Sequence, residues 1–405
     1  MANGEAGRAR ARVLILVENL SVPADRRVWA ESRSLVRAGY DVTVICPAGR
    51  TRDTAGQETI EGVSIHRFPQ TEAGSGAVGY LSEYGRALWH MRRLARRLEA
   101  EAGRFEVVHL CNPPDVLYLA VGSLRRHGAR VVFDHHDLVP ELSQLRFHGR
   151  LGDVLQRATR FFERRTLRAA DVVLCPNESY RRIAIERGGK RREDTFVVRI
   201  APDLERFRPG EPDPELKRGK PHLIAYLGTM GHQDGVDHAL RSLALLRRKR
   251  QDWHAVLAGS GDAADDLRVL ARELALNGVA DFAGHLDDDE LLRLLSTADV
   301  CLSPEPKNGL NDHSTMIKVV EYMALARPIV AFELVETRFS AGDAAVYATP
   351  NSDEDFAGWI DRLLDDPGAR AEMGARGRAR VERELSWAHS ERELLAAYER
   401  ALASR

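Results

Sequence analysis

Short apolar runs rich in β-branched residues recur along the chain, separated by longer stretches in which apolar residues return every three or four positions. In the first half, "RVLILVE", "DVTVICP", "VSIHRF", "VVHL", "RVVFDHH", "DVVLCPN" and "TFVVRI" predict strands apolar on both faces, as in a buried parallel sheet. A polar, Pro-rich stretch follows, "PDLERFRPGEPDPELKRGKP". After it come "HLIAYLG", "WHAVLAG", "VADFAG", "DVCLSP", "PIVAFE" and "AAVYAT", with helical stretches such as "VDHALRSLALLRRKR" and "DDELLRLLSTA" between them. Strand and helix alternating over short connections predict an α/β fold of doubly wound units. Two such series predict two Rossmann-like domains, residues 1–205 and 206–385. The last stretch, "SWAHSERELLAAYERALASR", residues 386–405, reads as a helix able to cross back to the first domain.

Composition narrows the class. A chain of 405 residues, 44% hydrophobic and 29% charged, is long enough for two cores and has no uninterrupted apolar run of membrane-spanning length. The start, "MANGEAGRARARVLILVEN", reads as a first strand and not as a signal peptide, since its apolar run is short. Cys46, Cys111, Cys175 and Cys301 are scattered without a CxxC pair, which suits reduced core thiols in a cytoplasmic protein. Charge is uneven. Residues 1–210 hold 35 Lys and Arg against 26 Asp and Glu, a surplus of nine, and the remainder holds 24 against 34, a deficit of ten. Much of the excess lies in "RALWHMRRLARRLEAEAGR" from Arg86 and "RLGDVLQRATRFFERRTLRAAD" from Arg150. Both read either as solvated helix faces or as contacts with a membrane surface, such as the inner face of the plasma membrane, or an anionic acceptor. Nucleic acid is not expected, because the basic helices lack interleaved stacking aromatics.

Candidate chemistry falls where doubly wound folds place ligands, just after strands and at helix starts. In "NDHSTMIKVVEYMALARPIV", residues 311–330, helical spacing stacks Ser314, Lys318 and Glu321 on one stripe. Asp312 or Ser314 is the expected cap, and the N–H groups around Ser314, Thr315 and Met316 would bind a diphosphate, with Lys318 adding a cation. Glu321 would accept from a ribose diol. The alternative is a surface helix with an incidental Lys–Glu pair. Gly228 and Gly231 in "YLGTMGHQDGV" permit close backbone approach after a strand, and Gly259 in "LAGSGD" sits similarly. In "NLSVPADRR", Asp25 reads as an N-cap or a contact, while Arg26 and Arg27 are candidate acceptor or phosphate contacts. "VVFDHHDLVPEL" brings His135, His136 and Asp137 to a strand end, with spacing that disfavours a shared metal. Asp115 in "HLCNPPDVLYLA" is a further acceptor candidate, and Glu178 in "CPNESY" is either a cap partner or an acceptor contact.

Taken together, the 311–330 helix, "YLGTMGHQDGVDHAL", "LAGSGD" and "DHHDLVPEL" resemble the retaining glycosyltransferases of family 4, with the GT-B fold, over nearly the whole chain. Its bacterial branch for polysaccharide or glycoconjugate assembly is the nearest likeness. The resemblance implies two Rossmann-like domains facing a cleft and a nucleotide-sugar donor, UDP-sugar first because the family most often uses it. A glycan, lipid-linked or small-molecule acceptor is implied, with no metal or other cofactor required. By the same resemblance Glu321 holds the donor ribose, and His136, with Asp137 in the same catalytic loop, contacts the transferring sugar. The leaving diphosphate would take the acceptor proton on one face, giving retention. Three positions depart from the family pattern: His313 stands where a glutamate reads the sugar, and Thr229 and Asp234 replace the Arg and Lys that usually clamp the diphosphate. Two rivals follow. A nicotinamide dehydrogenase is opposed by the missing GxGxxG in the first strand-turn-helix. A catalytically inactive GT-B partner would account for the three departures.

Overall fold

The computed structural model describes residues 10–49, 53–70, 77–147 and 149–403. The first nine residues, read above with the basic start, lie outside them. The chain divides into two units, 1–199 with 390–405 and 200–389.

In the first unit the strands are β1 (Arg12–Leu16), β2 (Asp41–Pro47), β3 (Gln57–Ile60), β4 (Val63–Phe68), β5 (Val107–Cys111), β6 (Arg130–Asp134), β7 (Val172–Cys175) and β8 (Thr195–Val197). Their order across the sheet is β3-β4-β2-β1-β5-β6-β7-β8. Each apolar run named above becomes a strand paired in parallel, because helices cover both faces and leave no side for polar residues. The exception is β3, which has no counterpart in the hydrophobic pattern. It pairs antiparallel with β4 through a two-residue turn at Glu61 and Gly62, with φ of 47° and 82°. Its sequence "QETI" alternates exposed and half-buried positions, as a polar edge strand does.

The second unit contains β9 (His222–Leu227), β10 (Trp253–Ala258), β11 (Ala280–Gly284), β12 (Val300–Ser303), β13 (Ile329–Phe332) and β14 (Ala345–Ala348). The order is β11-β10-β9-β12-β13-β14, all parallel. One face buries Trp253, Phe332 and Phe356, and the other buries Tyr322, Met323 and Ile329. Each such side chain stabilises the unit by about 1.5–3 kcal/mol. The order reverses between β9 and β12 here, and between β1 and β5 in the first unit. Crevices for ligands open at such reversals, beyond the carboxyl ends of the strands.

The Pro-rich stretch is packed into the second unit. Gly210 N donates to Ser296 Oγ at 2.9 Å, Asp213 N donates to Thr297 Oγ1 at 2.8 Å, and Phe207 is buried. The C-terminal helix Trp387–Ala403 places Tyr398, fully buried, 2.8 Å from His109 Nδ1 on β5. All four cysteines are buried and free. Among the described residues, no helix is long and apolar enough to cross a membrane. The basic stretches form the helices Ala77–Ala102 and Gly149–Ala169, with Trp89, Val154 and Phe161 exposed.

Candidate functional site

At the reversal of the second sheet, two strands end in glycines whose backbones touch. Gly228 follows β9 with φ 150°, and Gly259 follows β10 with φ 138°. A Cβ on Gly259 would stand 1.8 Å from Gly228 O, and one on Gly228 would stand 2.7 Å from Lys318 Cε. Only glycine permits this approach. Tyr322, from the helix Ile317–Ala324, ties the neighbouring strands together: its Oη accepts from Leu227 N at 2.8 Å and donates to Leu302 O at 3.2 Å. Asn311 Nδ2 donates to Gln233 O and Pro306 O, joining the loop after β12 to the loop after β9.

Three expectations for this region are corrected. The helix starts at Ile317 with Met316 at its N-cap position, so neither Asp312 nor Ser314 caps it. Asp312 instead accepts from Val335 N at 3.0 Å, Ser314 Oγ donates to Leu310 O at 2.9 Å, and Ser314 N donates to Asn311 O at 3.2 Å. The physical reason is that "NGLNDHS" closes tight turns of its own, in which short polar side chains bond locally. The stripe therefore reduces to Lys318 and Glu321, both buried. Second, Lys318 is not an open cation. Its Nζ pairs with Glu305, lies 3.1 Å from Tyr226 Oη and sits 4.4 Å from the Tyr226 ring centroid. Burial works against the Lys318 charge, but Glu305 and Tyr226 outweigh it and hold the ammonium protonated. Glu305, 1% exposed and also bonded by Ser303 Oγ at 2.5 Å, carried no signal in the sequence. Third, Asp234 turns inward, accepting from Gly231 N at 2.9 Å, so it shapes its loop. Thr229 is exposed at the loop tip, and His313 and Thr315 are half-buried beside the helix start.

At the reversal of the first sheet, Asp25 is the N-cap of the helix Arg26–Arg37, accepting from Arg27 N and Val28 N at 3.1 and 3.0 Å. The contact reading of Asp25 gives way to the cap. Arg27 is corrected too. It is buried, grips Asp134 through Nε and Nη2 at 2.8 and 2.7 Å, and donates to Val198 O at 2.6 Å. A guanidinium buried and committed in this way is not presented to an acceptor or phosphate. Arg26, next to it, is exposed.

Asp134 then orients His136. Burial raises the Asp134 carboxyl, but Arg27 and His136 outweigh that and hold it well below the usual range, so it is ionised and accepts. His136 Nε2 donates to its Oδ2 at 2.5 Å. Asn112 holds the same loop from beneath: its Oδ1 accepts from His136 N and Asp137 N, and its Nδ2 donates to Asp115 and to Asp137 O at 2.9 and 2.8 Å. The only hint of Asn112 in the sequence was its place directly after a strand, before two prolines. His136 and Asp137 are half-buried at the end of β6. His135 is fully buried, 3.6 Å from Glu163 Oε1. Asp115, the further acceptor candidate, is 3% exposed and accepts from Asn112 Nδ2. Glu178 lies at the start of its helix, capped by Asn177, and pairs with Arg181.

Burial pushes the Asp115 carboxyl up to about 7. The sign follows. A group raised on folding contributes stability that is full below its ordinary value, near 4, and lost as pH rises through the folded value. Asp115 should therefore weaken the first unit between about pH 4 and pH 7, and Asp115→Asn should flatten that slope in urea titrations across the range. An unchanged slope would show that Asp115 does not titrate with folding.

Among the described residues, one group brings three metal-ligating atoms within 4.8 Å of one another: His109, Cys111 and Asp134. It fits a cation poorly. Arg27 occupies the Asp134 carboxylate, Tyr398 holds His109 Nδ1, and burial pushes the Cys111 thiol well up.

Comparison with known proteins bears on both units. The family described as Glycosyltransferase Family 4 matches residues 24–206, and Glycosyl transferases group 1 matches residues 208–380. A glycogen synthase of Mycobacterium tuberculosis is 25% identical over 379 residues, covering 89% of this chain and 87% of its own. A sucrose-phosphate synthase from Thermosynechococcus elongatus superposes with a TM-score of 0.80 at 16% identity, over 98% of this chain and all of that one. The Anabaena protein HepE, solved with UDP-glucose, superposes with a TM-score of 0.71 at 14% identity, over 96% and 99% of the two chains.

Proposed function

For this chain, which belongs to glycosyltransferase family 4 and is a GT-B enzyme, we propose retaining transfer of a sugar from a nucleoside-diphosphate sugar, UDP-sugar foremost, to a glycan, lipid-linked or small-molecule acceptor. The carrying observation is the convergence of Gly228 and Gly259 at the reversal of the second sheet, with Lys318 against Gly228 and Glu321 one turn further along the helix. In this reading the glycine contact lets the two loops close around a diphosphate without a flanking arginine, which would accommodate the Thr229 and Asp234 departures. Lys318, neutralised by Glu305, would position the loop more than add charge.

In this reading Glu321 accepts from the ribose diol, and Ser314, Thr315 and Met316 line the approach together with His313. In the first unit, His136 faces the transferring sugar with its ring set by Asp134, and Asp137 is beside it. The leaving diphosphate takes the proton of the acceptor hydroxyl as the new bond forms on the same face. The protein would then act by positioning and charge stabilisation, with no metal assigned a step. HepE, whose complex holds UDP-glucose, supports the choice of donor. The exposed Val154 and Phe161 among the arginines of the Gly149–Ala169 helix support peripheral contact with an anionic surface. Nothing in the comparisons favours an inactive partner.

Calorimetric titration with UDP, GDP and ADP tests the donor assignment. UDP should bind most tightly, and Glu321→Ala should weaken it by about tenfold to a hundredfold, or roughly 1.4–2.7 kcal/mol. UDP binding that survives Glu321→Ala unchanged would remove the ribose assignment.

A further inference from the structure

The carboxyl end of β1 leads into Glu18, which no motif singled out. It is 8% exposed, and it lines a cavity of about 40 Å³ with Asn19, Pro47, Phe68, Glu83 and His90. Its carboxylate accepts no hydrogen bond and meets no cation among the described residues. Burying a carboxylate without a partner is costly, and here the acid faces a recess instead of a counterion among the described residues. Glu83 brings a second carboxyl to the same space. Burial pushes Glu18 up to about 7, with Glu83 adding to the effect, and burial raises Glu83 as well. One wall is aromatic, since Phe68 and His90 stack with ring centroids 5.8 Å apart and planes 9° apart. The rim is polar and exposed at Asn19 and Gln70.

The recess is too small for a sugar ring and roomy enough for one small polar substituent. Two carboxyls in a recess that no described Lys or Arg lines favour a positive group over a hydroxyl, and the aromatic face favours it further. A divalent metal suits the site less. Among the described residues only His109, Cys111 and Asp134 gather three ligand atoms within 4.8 Å, and none of those lines this recess.

We propose that the Glu18–Glu83 recess is an acceptor subsite for a primary ammonium group, so that the acceptor is an amino sugar or another amino-substituted polyol. The proposal rests on the glycosyltransferase reading above and names the class of its acceptor.

The test titrates the full chain, slightly above neutral pH, with glucosamine, glucose and N-acetylglucosamine as probes. Glucosamine should bind about tenfold more tightly than glucose, and N-acetylglucosamine, its amine capped, should match glucose. Glu18→Gln and Glu83→Gln should each lose most of that preference. Each variant should still bind UDP like the wild type and should keep the wild type's cooperative thermal unfolding, which shows that the first unit is folded as well. Equal binding of the three sugars, no measurable glucosamine binding, or a preference that survives both substitutions would overturn the proposal. A wild type that selects glucosamine but ignores UDP would instead count against the donor reading and leave the subsite standing.

Discussion

Arg27→Met is expected to destabilise the first unit by about 3–5 kcal/mol, because it leaves the fully buried Asp134 without its counterion. The loss exceeds that of a surface ion pair, worth about 1 kcal/mol or less, because water cannot reach Asp134 to replace the guanidinium. Arg27 also holds Val198 O, so its removal loosens the end of β8 as well. Pairing the change with Asp134→Asn removes the stranded charge and should recover part of the loss. The double variant should not recover transfer, since His136 would lose the ionised carboxylate that sets its ring. Calorimetric unfolding of the wild type and both variants gives the comparison. A single variant that unfolds within a degree or two of the wild type would mean that Asp134 finds another partner or becomes protonated at little cost.

Gly259→Ala should weaken UDP binding by about a hundredfold, close to 2.7 kcal/mol, with the second unit still folded. The new Cβ would lie 1.8 Å from Gly228 O. Neither backbone can easily yield, because Gly228 N donates to Ala258 O at 3.1 Å and Gly259 N to Gly284 O at 2.7 Å. Alanine is also strained at φ 138°. The two loops must part, and the diphosphate site proposed between them is distorted with them. Gly358→Ala is the matched control. That glycine lies in the helix Asp353–Asp365 with nothing within 4 Å of an added Cβ, so binding should not change and stability should rise by up to about 1 kcal/mol. UDP bound equally well by Gly259→Ala would detach the glycine contact from the donor site.

Much of the fold was legible in the hydrophobic pattern, and the reason lies in β1, β5 and β9. A strand buried on both faces must be apolar at nearly every position, so its signature is local and survives without knowledge of its neighbours. The polar edge strand β3 escaped because half of it faces water, and only the turn at Glu61 and Gly62 marked it. At the site, Gly228 and Gly259 were legible because a turn directly after a buried strand selects glycine for backbone reasons. The start of the 317–324 helix was misplaced because Asp312 and Ser314, both good capping residues, are drawn into the preceding turns and the loop before Val335.

What the sequence determined by itself, then, was the succession of strands and helices, the two series they form and the glycine turns that open the crevices. These follow from side-chain size, polarity and backbone freedom at neighbouring positions. Tertiary structure decided where each charge goes. Arg27 and Asp134 are 107 positions apart and Lys318 and Glu305 are 13 apart, and nothing local distinguishes a buried, paired arginine or lysine from one offered to a phosphate. Glu18 shows the converse, a carboxylate that folding buries among the described residues without a partner. Whether a charge is neutralised or left facing a recess depends on which distant groups the fold brings within a few ångströms, since desolvation and Coulomb energy act through space and not along the chain.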